Sequence, residues 1–251
     1  IFFIFWEQSF ERLSGEGVGK NSSDFFFFFH TFLWVFLPWT VLGIAAYWTR
    51  LKKLVQLKFK YDAHTEFLTV GGITLIFIII SFAQFKLPHY LNITMPLFSV
   101  LTASYLYKLY ERGSEKTKKI FLGVQYFILA IVFIAVLLLC FFAFKLHSTL
   151  SFILLGILLV VIVYFCLKKE DYAIRVFTIA VCTSLLLNSI LNLHFYPALL
   201  KYQGGSNMAN IVAEQGIPVE DIYKISPMYT WALDFYNKSP VTITSFQDLK
   251  E

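Results

Sequence analysis

Charge is what this chain has little of. Asp, Glu, Lys and Arg make up 15% of its 251 residues, and none falls between Phe25 and Trp48. Cysteine is scarce too: Cys140, Cys166 and Cys182 all sit inside apolar segments, so no disulfide framework forms and no CxxC pair exists for a redox or zinc site. There is no HExxH and no glycine-rich phosphate loop before a strand, so zincins and nucleotide-binding enzymes lack support. What is abundant is apolar: 58% of residues are hydrophobic, 29 are phenylalanine, and mean hydropathy is +0.67. A soluble globule carries about 45–50% apolar residues, so this composition implies an integral membrane protein. The formal charge of +5 would suit nucleic acid only if it were clustered, and instead it lies at the edges of apolar runs. No nucleic acid partner is expected. The chain opens at Ile1 without a charged segment before an apolar core, and the expectation is a C-terminal part of a longer protein without a signal peptide.

Ile1–Trp6 followed by Glu7–Leu13 suits a short interfacial helix, and Gly15–Asp24 a polar loop. About 20 apolar residues cross a hydrocarbon core. Six runs approach that length: 25–48, 67–85, 90–107, 120–144, 149–167 and 173–193. Pro38 is expected to kink the first. Alternate connectors lie on opposite sides, and those after the first, third and fifth spans hold thirteen Lys and Arg against Arg12, Lys20, Lys86 and Lys145 opposite. By the positive-inside rule the thirteen are cytoplasmic. The N-terminal segment 1–24, the turn near Pro88 and the tail are then extracytoplasmic. The tail, 194–251, reads as a small α/β module: a helix over Gly205–Gln215 ended by Gly216, a strand over Asp221–Ile225, a helix over Tyr229–Tyr236 and a strand over Val241–Ile243. The fold class expected is therefore an α-helical integral membrane protein of about six transmembrane helices with an extracytoplasmic α/β C-terminal module.

Phe85-Lys86-Leu87-Pro88-His89-Tyr90 interrupts about forty otherwise apolar residues and marks the candidate site. Pro88 pushes Leu87 out of the helical region and turns the chain at the membrane face. A fixed cation, an imidazole and a phenol then meet the headgroups, a set suited to a lipid phosphate. The same residues also suit an ordinary loop with a snorkelling lysine and a belt tyrosine. Arg12, on the same expected face as Lys86, is a candidate second cation, since guanidinium grips phosphate bidentately; alternatively it pairs with Glu7 or Glu11. His30, His64, His147 and His194 are scattered, Gly204-Gly205 reads as a turn, and Lys145 stands at another outer loop outside this set.

Phe85–Tyr90 with the downstream Met95-Pro96 resembles the lysine-leucine-proline-x-tyrosine stretch of polyprenyl-phosphate-dependent glycosyltransferases of the GT-C type, the lipid A aminoarabinose transferases and their protein mannosyltransferase relatives. Glu7–Arg12 before a polar loop, and the aromatic run leading to Leu37-Pro38-Trp39, match in the same order. The resemblance is best over residues 1–110. It implies transfer of a sugar from a polyprenyl-phosphate-linked donor to a lipid or protein acceptor at the outer face of the cytoplasmic membrane. It implies Arg12, Lys86 and Tyr90 as lipid-phosphate-binding residues, with Glu7 and His89 in support. The family's catalytic carboxylate on the first outer loop has no counterpart here, so the catalytic residue is expected upstream of Ile1. Some members place a metal-ligating histidine just before the aromatic run; Lys20–Asp24 holds none, which leaves a divalent metal cofactor unassigned. A transporter or a non-catalytic membrane subunit is the rival reading, although transporters place ionisable residues deep in their spans and none lies there in this chain.

Overall fold

The computed structural model describes residues 24–60, 67–83, 85–146, 149–225, 231–245 and 247–248. The chain is mostly helical. Its elements are α1 (Phe27–Val35), α2 (Thr40–Gln56), α3 (Phe67–Phe82), a 3₁₀ turn (Pro88–Ile93), α4 (Met95–Arg112) and α5 (Glu115–Leu138) with a π segment (Leu139–Ala143). They are followed by α6 (Thr149–Leu167), α7 (Tyr172–Ile190) with a π segment (Leu191–Phe195), α8 (Tyr196–Leu200), α9 (Gly204–Gln215), β1 (Tyr223–Lys224), α10 (Trp231–Tyr236) and β2 (Thr242–Ile243). Glu115–Ala143 and Tyr172–Leu200, of 29 residues each, are long and apolar enough to cross a membrane, with mean hydropathies of 3.0 and 1.9. The chain is thus a membrane-associated helical protein.

The expected first span is broken rather than kinked. Pro38 cannot donate to the carbonyl four residues back, and its ring crowds that turn. α1 stops at Val35, the Thr40 hydroxyl donates to the Leu33 carbonyl at 3.0 Å, and the Trp39 amide takes the Phe36 carbonyl at 2.8 Å. The Leu37–Pro38 peptide is cis. α3 has 16 residues, about 24 Å at 1.5 Å per residue. It ends three residues before the expected Phe85, because Pro88 holds Leu87 extended at φ −127°, ψ 141°. The expected connector Lys108–Lys119 is mostly helical, since α4 runs on to Arg112. Only Gly113-Ser114 separates it from α5, where the Ser114 hydroxyl accepts the Thr117 amide at 3.2 Å as an N-cap.

The chain forms two compact units. The first comprises the residues up to Val136 together with Ile153–Leu187. Phe28, Phe32 and Phe36, spaced four apart, put three rings on one side of the chain, all buried. Phe32 lies 4.3 Å from Phe98 and 6.0 Å from Phe77, ring centre to ring centre, so an aromatic core joins α1, α3 and α4. Within the phenylalanine run, Phe28 is fully buried while Phe25, Phe26 and Phe29 are exposed. A second cluster, Leu42, Leu122, Val176 and Ile179, ties α2 to α5 and α7. At one end of these helices the buried Lys118 ammonium meets Asp171 at 3.0 Å, and Asp171 also caps α7 by accepting the Ala173 amide at 2.8 Å. Burial pushes the Asp171 carboxyl upward, but the Lys118 hydrogen bond and the backbone amides outweigh it and hold the group below the usual carboxylate range.

The second unit comprises Leu137–Phe152 and the residues from Asn188 onward. Here α9 ends as expected, on Gly216 in the left-handed region (φ +63°) with the Ile217 amide on the Val212 carbonyl at 3.1 Å. The two expected strands are present but only two residues long each, paired in parallel as Tyr223 with Thr242 and Lys224 with Ile243. Neither has another neighbour among the described residues, and a pair this short carries little stability alone. Buried Ala209, Leu233 and Val241 supply a small core, and the Lys224 ammonium bonds both Asp234 oxygens at 2.8 and 2.6 Å.

Candidate functional site

The turn between α3 and α4 is built from its proline. Pro88 opens the 3₁₀ turn where its missing N–H costs nothing, and the Tyr90 amide closes on the Leu87 carbonyl at 3.1 Å. Fully buried Leu91 anchors the turn in the aromatic core, and the buried Thr94 hydroxyl donates to the Leu91 carbonyl at 2.7 Å before α4 begins. These contacts fix which way the three polar side chains face. His89 is exposed; Tyr90 is half-buried, its ring stacked on Phe28 at 6.5 Å and met edge-on by His89 at 4.9 Å.

Lys86 turns inward. Only 4% of it is exposed, and its ammonium donates to the Asp24 carbonyl at 3.0 Å. That contact brings the turn against the residues that lead into α1. A lysine taken this far from water holds its charge only where polar groups receive it, and an ammonium has three donors to satisfy. Lys145 and Lys201, by contrast, are exposed. Phe25, the residue after Asp24, lines an apolar cavity of about 410 Å³ together with Ser81, and Ile44, Tyr47 and Thr74 form another part of its lining. Seven helical residues separate Thr74 from Ser81, so the lining extends about 10 Å along α3. Tyr47 and Thr74 bond each other at 2.7 Å and so present little polarity to it, whereas the buried Ser81 hydroxyl has no hydrogen-bond partner. The cavity is apolar along α3, and Lys86 itself is not among its lining residues.

The structure shares its fold with ArnT. The crystal structure of ArnT from Cupriavidus metallidurans, bound to undecaprenyl phosphate, matches 96% of this chain with a TM-score of 0.57 and 17% sequence identity. The chain spans 43% of the length of that protein. No family model and no curated protein matches the sequence.

Of the residues singled out from sequence, Lys86, His89 and Tyr90 come to one turn, with His89 on its outer side. Arg12 and Glu7 lie outside the described residues. Among the described residues no group of three or more His, Cys, Asp or Glu converges, so no ligand set for a metal is assigned. Sequence reasoning missed Ser81 and the cavity it lines. The signal for Ser81 was a hydroxyl near the end of an apolar helix just before the Lys86 turn; the cavity has no sequence signature, because its walls are ordinary core residues.

Proposed function

We propose that this chain forms part of a membrane glycosyltransferase that moves a sugar from a polyprenyl-phosphate donor to an acceptor at the outer face of the cytoplasmic membrane. The observation that carries the reading is the inward-turned Lys86 ammonium of the lysine-leucine-proline-x-tyrosine stretch, bonded to the carbonyl of Asp24, whose neighbour Phe25 lines an apolar cavity. A fold like that of ArnT, whose crystal structure holds undecaprenyl phosphate, supports it. In such a transfer the donor's phosphate leaves with increased negative charge, so a cation placed on it lowers the barrier. Lys86 supplies that cation, Tyr90 a phenol within the same turn, and the cavity along α3 receives the first part of the prenyl chain. Arg12 remains the proposed second cation, with Glu7 and His89 in support.

The topology proposed is that of six spans with the C-terminal module outside. Two contacts support it: Lys118 meets Asp171, joining two connectors expected on the cytoplasmic side, and Lys86 donates to the Asp24 carbonyl, joining two segments expected on the other. The acceptor class proposed is broad, a glycolipid, protein or glycan hydroxyl. The deciding experiment compares undecaprenyl phosphate with undecaprenol, the same chain without its phosphate, for binding to the protein in detergent. Binding of the phosphate at least about tenfold tighter is expected, from one charge-assisted hydrogen bond. Equal affinity for the alcohol would remove the phosphate site.

A further inference from the structure

The second unit holds a cavity of about 500 Å³ that the donor reading does not use. One wall comes from the end of α5. Its π segment closes with the Phe144 amide on the Leu139 carbonyl at 2.8 Å, five residues back, and the chain then leaves the helix at Phe144 (φ −132°, ψ 88°). The Phe144 carbonyl therefore has no helical amide to meet. His194 fills that place, its Nε2–H donating at 2.6 Å from the π segment that follows α7. Two π segments thus face each other through one hydrogen bond. Such segments recur at functional sites because the wide turn breaks the regular helical face.

The other wall is one helix face, with His194, Ala198 and Lys201 at i, i+4 and i+7. Asn207 fixes the Lys201 backbone by donating to its carbonyl at 2.5 Å, and buried Leu146 fixes Lys145 from the other side, its amide on the Cys140 carbonyl at 3.1 Å. Lys145 and Lys201 both line the cavity, with Tyr202 beside them and Phe142, Leu193 and Pro197 as apolar lining. Among the described residues no Asp or Glu lines it, and none makes a hydrogen bond or ion pair with either ammonium. Two lysines lining one cavity give it a positive potential that favours an anion. The rim is apolar and exposed, with Phe142 at 79% and Leu193 at 66%, as a lipid-facing surface is.

We propose that this cavity binds a phosphate-bearing ligand between Lys145 and Lys201, with the apolar rim suited to the tails of an anionic lipid. His194 is a positioning residue that holds the two walls at their spacing. The proposal rests on the membrane reading of the chain and not on the transferase reading, so binding is measured without any sugar donor.

The test titrates the protein in detergent with dioctanoyl phosphatidylglycerol, dioctanoylglycerol and inorganic phosphate, followed by native mass spectrometry. Phosphatidylglycerol should bind at least about tenfold more tightly than dioctanoylglycerol. Lys145→Ala and Lys201→Ala should each weaken it by about tenfold, and the Lys145→Arg/Lys201→Arg double variant should retain it. Both lysines are exposed, so these variants leave the fold intact, which circular dichroism checks. Lysine-dependent binding of inorganic phosphate at the same affinity identifies free phosphate as the ligand source; binding of the lipid alone identifies the headgroup. The proposal is overturned if lysine removal leaves binding unchanged, if dioctanoylglycerol binds equally well, or if Lys86→Met abolishes phosphatidylglycerol binding and so places the lipid at the other turn.

Discussion

Replacing Lys86 with methionine separates the charge from the packing. The lysine is 4% exposed, so its stem fills space inside the fold, and methionine keeps most of that volume while removing the ammonium. Two quantities should then change by different amounts. Losing the hydrogen bond to the Asp24 carbonyl, 3.0 Å long in the structure, should cost about 1–2 kcal/mol of fold stability. Losing a charge-assisted bond to a lipid phosphate should cost about 1.5–3 kcal/mol of binding, roughly ten- to a hundredfold at 1.4 kcal/mol per tenfold. Undecaprenyl phosphate affinity of the variant in detergent reads the second quantity, and thermal unfolding of the same sample reads the first. Undecaprenol serves as the reference ligand: its affinity should barely move, because the cavity along α3 is untouched. If the variant folds normally and binds undecaprenyl phosphate as tightly as the parent protein, Lys86 is a packing residue and the phosphate site is lost with it.

Gly43→Ala should destabilise the first unit by about 1–3 kcal/mol, because the added Cβ would stand 2.9 Å from the Phe36 ring, and thermal unfolding in detergent would register it. In the C-terminal module, the Lys224 hydrogen bonds and the Val241 amide hold the Asp234 carboxyl below its ordinary value of 3.8. A depressed carboxyl stabilises the fold above its unfolded value and loses that contribution as pH falls through the lower folded one. Protection of α9 and α10 amides from hydrogen exchange should therefore decline below about pH 4 in the parent protein, whereas Asp234→Asn should start lower and lose this part of the pH dependence.

The parts of the structure that were legible in the sequence are those fixed by single residues with strong local rules. Pro88 set the turn, Gly216 ended α9, and the alternation in 204–243 placed both short strands within a few residues. Helix ends were harder. Lys108–Lys119 looks like a connector because it is charged, yet charge is no obstacle to a helix, and Glu, Lys and Arg are good helix formers. Only Gly113-Ser114 carries a stop and a cap. The expected span 25–48 erred in the same way, treating Pro38 as a kink inside one helix when the lost donor and the Thr40 hydroxyl together divide it in two.

The phenylalanine run shows why the site itself was only half legible. Five consecutive rings suggest lipid contact and nothing more, and for Phe25, Phe26 and Phe29 exposure agrees. Phe28 differs by direction alone: it is four residues before Phe32, faces the core, and carries the Tyr90 ring. The expectation that Tyr90 meets the headgroups comes from its place after Pro88. Its half-buried position comes from Phe28, 62 residues upstream, and Lys86 is likewise turned inward by the Asp24 carbonyl at the same sequence distance. Side-chain chemistry was thus written locally and side-chain direction was set by distant packing. The cavity of the second unit carries this further. Lys145 and Lys201 have no local signal at all, since each sits just past an apolar helix where a snorkelling lysine is common. What makes them a pair is the His194–Phe144 hydrogen bond across 50 residues, a contact between two segments whose wide turns no sequence pattern announces.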